Sequence, residues 1–92
     1  MIGPDSRLKR REGILAQRAS ETQLLLNLSS GEYYALDEVG TRIWELCDGS
    51  RTVAEIAAVV GDEYDAPVDV IQADAIELLE GLASENLVVE AR

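Results

Sequence analysis

A chain of 92 residues, 47% hydrophobic and 28% charged, has the make-up of one small globular domain, and at that size only about 60–65% of the unfolded surface is buried. The net charge of -10 disfavours nucleic acid and anionic membrane as partners, and the absence of histidine removes the usual base or ligand of catalytic triads, Cys–His dyads and common zinc sites. A single cysteine, Cys47, excludes an internal disulfide and thiolate clusters and fits a reducing, cytoplasmic setting.

Residues 1–12 show no periodicity and contain Gly3 and Pro4, so they are expected to form a flexible basic lead-in to a domain covering residues 13–92. The charge is uneven: residues 1–18 hold five Lys or Arg against two carboxylates, and the remainder holds three arginines against sixteen. No apolar h-region follows the basic residues, so neither a secretory signal nor a membrane span is expected.

"ILAQRA" (Ile14–Ala19) is a candidate first strand. "TQLLLNL" (Thr22–Leu28) is a stronger one: Thr22, Leu24, Leu26 and Leu28 share a face at period 2, which puts Leu25 on the outer face. Gly31 allows the turn, and "EYYAL" (Glu32–Leu36) returns with Tyr34 and Leu36 toward the core and Tyr33 and Ala35 away from it. At Asp37, a good N-cap, the period changes: Val39, Ile43, Leu46 and Cys47 recur at helical spacing with Trp44 beside them, until "DGS" (Asp48–Ser50) stops the helix. Thr52 and Glu55 form a capping box for a short second helix ending near Gly61. Pro67 opens a third helix, with Val68, Ile71, Ala75, Leu78, Leu79 and Leu82 as its stripe, and "LVVE" after Asn86 is a short extended tail. Gly40 and Gly81 have no turn or helix-end explanation. The order predicts an α+β fold, a three-stranded antiparallel sheet followed by three helices.

Catalytic chemistry is hard to find. The densest acidic run, "DEYD" (Asp62–Asp65), lacks the spacing of a calcium loop and reads as a solvated loop. No enzyme activity, cofactor or metal is expected.

The segments "GEYYAL", "GTRIWELCDG", "RTVAEIA" and "DAIELLEGLASENLV", in this order and spacing, resemble the PqqD-like family of leader-peptide recognition domains for ribosomally made, post-translationally modified peptides. The resemblance covers about Gln17 to Glu90; Asp37 stands where many relatives carry asparagine, and the basic head lies outside it. It implies a winged-helix-like fold in which a leader adds a strand to the "EYYAL" strand and lies against the third helix. It also implies a stand-alone adaptor that presents the leader to a separate peptidase, cyclase or radical SAM enzyme, as in lasso-peptide and quinone-cofactor pathways.

An edge strand with one charge is a hazard in most proteins and a docking rail in a peptide reader. The resemblance places the pairing backbone on Glu32, Tyr33, Tyr34, Ala35 and Leu36, and the cleft wall on Val70, Ile71, Asp74, Ala75 and Leu78. Several of these have a plainer reading: Tyr34, Leu36, Ile71, Ala75 and Leu78 as core, Asp74 as part of a solvated face. Leu25 is either part of an exposed patch or an isolated surface group. Two rivals stand beside the peptide reader. A DNA-reading winged helix suffers from a third helix with Asp69, Asp74, Glu77 and Glu80 and no lysine or arginine. A structural homodimer would use the same strand edge to edge, so the expected state is a monomer or weak homodimer.

Overall fold

A computed structural model describes residues 1–91. The chain runs β1 (Arg7–Arg10), β2 (Ile14–Ala19), β3 (Thr22–Asn27), β4 (Tyr33–Leu36), α1 (Glu38–Glu45), β5 (Asp48–Thr52), α2 (Val53–Glu63), α3 (Val68–Ser84) and β6 (Val88–Glu90). The strands make two three-stranded antiparallel sheets, β2-β3-β4 and β5-β1-β6. The α+β class and the β2-β3-β4 sheet followed by three helices match expectation; the second sheet does not.

The lead-in is the main correction. Residues 7–10 form the central strand of the second sheet, with β5 on one side and β6 on the other. Leu8 is buried in the core and Ile2 joins it. The basic head is also partly structural: Arg10 donates to the carbonyls of Trp44 and Glu45 at 3.0 and 2.7 Å, where a cation complements the carboxyl end of α1. "DGS" does stop α1, and with Arg51 and Thr52 it then becomes β5.

Local signals place the helices. Asp37 caps α1 by accepting from the Gly40 amide at 2.8 Å. The capping box of α2 is complete, with Thr52 N–H donating to Glu55 Oε1 at 2.7 Å and Glu55 N–H donating to Thr52 Oγ1 at 3.1 Å. Pro67 precedes the first turn of α3 as its N-cap. α2 and α3 pack through Ile56, Ala57, Val60, Ala75, Leu79 and Leu82, all at 0% exposure. Trp44 and Cys47 are in the core, and burial pushes the Cys47 thiol up to about 12, leaving it protonated at neutral pH.

β3 presents the face opposite to the one expected. Leu25 has 0% exposure, whereas Leu24 and Leu28 have 40% and 63%. Cross-strand partners share a face: Leu25 lies opposite Tyr34, and Gln23 opposite Leu36, so the inward face of β4 dictates that of β3.

The hydrogen bonds of Thr52 hold the Glu55 carboxyl below its ordinary 4.5. A depressed carboxylate stabilises the fold above its unfolded pKa, and that stability is lost as pH falls through the folded value. Glu55→Gln is therefore expected to melt below the parent at pH 7, with the gap closing below about pH 4.5; thermal melts across the pH range check it.

Candidate functional site

β4 is bonded on one side only. Its neighbour in the sheet is β3, and its other edge faces α3 across an open cleft. The ladder register fixes which backbone groups are free. Asn27 N–H donates to Glu32 O at 2.9 Å, and on the other side of β3 Leu28 N–H donates to Gly13 O at 3.2 Å. In an antiparallel ladder the bonded residues alternate. Tyr34 and Leu36, opposite Leu25 and Gln23, therefore turn their N–H and C=O toward β3. Tyr33 and Ala35 turn theirs to the vacant edge. Among the described residues no backbone bond from elsewhere reaches these two, and the chain's tail is occupied as β6 in the other sheet.

The cleft beside this edge has a volume of about 590 Å³. Tyr34, Ala35 and Leu36 line it from the strand, and Ile71, Asp74, Glu77 and Leu78 line it from α3. Asp37, Val39, Gly40 and Ile43 close it from the α1 side. Gly40 explains how three elements converge there. A Cβ on it would lie 3.5 Å from Leu78 Cδ2, 3.6 Å from Leu36 Cβ and 3.1 Å from Asp37 Oδ1, so a side chain would press on the cap and the floor at once. Gly81 serves the other end, where a Cβ would meet Tyr34 Oη at 3.5 Å. Beyond Tyr34 a smaller hollow of about 160 Å³ continues along the strand, lined by Glu32 and Tyr33 among others.

Six of the residues singled out from sequence thus meet at one cleft: Tyr34, Ala35, Leu36, Ile71, Asp74 and Leu78. Glu32 and Tyr33 line its extension. Three do not fit. Leu25 is buried beneath the sheet, and Ala75, at 0% exposure, packs against the core behind the cleft wall. Val70 is 51% exposed but lies a turn before Asp74, outside the lining residues. Sequence reasoning missed Glu77 and the α1 contribution; the unexplained Gly40 was the available signal.

The charges at the mouth are of one sign. Asp37, Asp74 and Glu77 are exposed, and α3 carries no lysine or arginine. Among the described residues no group of three or more His, Cys, Asp or Glu side chains is placed to hold a metal ion.

These features define a small α+β domain with a vacant strand edge beside an apolar, acid-rimmed cleft. The chain belongs to the PqqD family: the family pattern for coenzyme PQQ synthesis protein D matches residues 22–88. A PqqA binding protein of Xanthomonas axonopodis pv. citri is 31% identical over 86 residues, 94% of each chain. One from Rhodopseudomonas palustris is 40% identical over 58 residues, a match spanning 63% of this chain and 57% of that protein. The match to a PqqA binding protein of Bradyrhizobium diazoefficiens likewise spans 56% of its length, little more than half. Among solved structures, TbiB1 in complex with the TbiA(β) leader peptide superposes with a TM-score of 0.78 at 29% identity, covering 87% of this chain and 93% of that one. The PqqD part of Methylobacterium extorquens PqqCD, described as a functional and stand-alone RiPP recognition element, superposes at 0.81 with 25% identity, covering 97% of this chain and 95% of that one.

Proposed function

We propose that this chain is a non-catalytic recognition protein that binds the leader of a ribosomally made precursor peptide and presents it to a separate modifying enzyme or leader peptidase. The outward row at Tyr33 and Ala35, next to the cleft, carries the reading. A visiting strand satisfies these groups by main-chain hydrogen bonds while the cleft selects alternate side chains. The opposite edge, β2, is exposed from Leu15 through Ala19, and none of these residues lines the cleft beside β4. Relatives that bind PqqA or carry a TbiA(β) leader support the same use here. The sheet and three helices form a winged-helix-like frame turned to peptide rather than DNA. Four carboxylates and no cation on α3 oppose phosphate contact. The setting is cytoplasmic, with a peptidase, cyclase or radical SAM enzyme acting on the presented peptide.

Amide exchange by NMR tests this with PqqA and TbiA(β) leader peptides as probes. Exchange at Tyr33 and Ala35 is expected to slow on binding, while Tyr34 and Leu36, already in the β3 ladder, change little. Peptide binding that leaves Tyr33 and Ala35 unaffected and protects another face overturns the reading.

A further inference from the structure

We infer that the peptide this groove accepts is cationic on its cleft-facing side, pairing an apolar side chain with a lysine or arginine that reaches Asp74 and Glu77. The inference rests on the groove reading above and adds the chemistry of the occupant.

The cleft has two kinds of wall. Its floor, from Leu36, Ile43, Ile71 and Leu78, takes an apolar side chain. Its α3 rim is Asp74 and Glu77, three residues apart and so neighbours on one helix face. Asp37 stands across the mouth, with one carboxylate oxygen engaged by the Gly40 amide. The ion pairs present lie elsewhere and engage Glu45, Glu63 and Asp48: Arg18 with Glu45, Arg42 with Glu45 and Glu63, Arg51 with Asp48. None of these pairs includes Asp37, Asp74 or Glu77. In a chain of net charge -10, three rim carboxylates without a cationic partner among the described residues repel an acidic peptide and attract a basic one. A strand laid along β4 points alternate side chains at α3. An apolar residue and a basic one two positions away therefore fall on the floor and the rim together.

A random-peptide phage library selected on the intact protein, with Ala35→Pro protein as counter-selection, tests this. Groove-dependent binders are expected to be enriched in Lys or Arg next to an apolar residue at alternate positions. An enriched peptide should bind about tenfold more weakly to the Asp74→Asn, Glu77→Gln double variant, the size expected for two surface charge contacts, and more weakly as salt rises. Both substitutions are on exposed side chains, and circular dichroism checks that the fold is kept. Groove-dependent binders that are neutral or acidic, or equal affinity for the double variant, overturn the inference while leaving the groove reading standing. Binders insensitive to Ala35→Pro, or no binders, overturn both.

Discussion

Ala35→Pro is expected to weaken leader-peptide binding by about tenfold or more while leaving the protein folded. The amide at position 35 points to the vacant edge, since the β3 ladder takes its bonds at Tyr34 and Leu36. Proline there deletes one donor that a visiting strand needs and sets a ring in its path, yet breaks no bond inside the sheet; edge strands tolerate proline for that reason. Tyr34→Pro is the matched opposite. It removes an inward bond to β3, so its melting transition should fall steeply. Fluorescence polarisation with a labelled leader, run beside melting curves, reads both. A folded Ala35→Pro protein that binds as well as the parent would remove the strand-addition mechanism.

Leu25→Ala should cost about 2–5 kcal/mol of folding stability, the range for truncating a fully buried leucine. Against total stabilities of about 5–15 kcal/mol for small domains, that is severe. Leu24→Ala, next door on the 40% exposed side, should cost under about 1 kcal/mol. Urea denaturation of the pair checks the inverted face of β3 directly. Equal losses would mean that the sheet buries both faces. The same burial logic bars Ala75→Lys as a probe of the cleft: at 0% exposure it would unfold the α2–α3 interface. Leu78, half-buried on the cleft wall, is the better position for a charge.

Features written in a few consecutive residues were legible. The Asp37 cap, the Thr52–Glu55 box and the positive φ at Gly31 are each settled by neighbours in sequence. The hairpin and the stripe of α3 followed from periodicity; that strand and helix together wall a cleft was implied only by the family resemblance. What escaped depends on distant chain. "RLKR" has one apolar residue and reads as a tail; it becomes a strand because the segments at Asp48–Thr52 and Val88–Glu90 arrive on both sides of it. Leu24, Leu25 and Leu26 are apolar on both faces, so alternation could not choose between them. Tyr34 and Leu36 chose, from across the ladder. The contribution of α1 to the cleft was hidden for the same reason: Gly40 looks idle until Leu78, far along the chain, comes to rest against it.

The central position of β1 limits how the molecule can be shortened. The family pattern begins at residue 22, and a fragment cut there would look complete by alignment. It would lose the middle plank of one sheet and, with β2, an edge strand of the other, leaving β5 and β6 with bare flanks on both sides, β3 newly uncovered and a hole where Leu8 sat. Such a fragment would carry new adhesive edges unrelated to the groove on β4, and its self-association would mimic the peptide binding proposed for the intact protein.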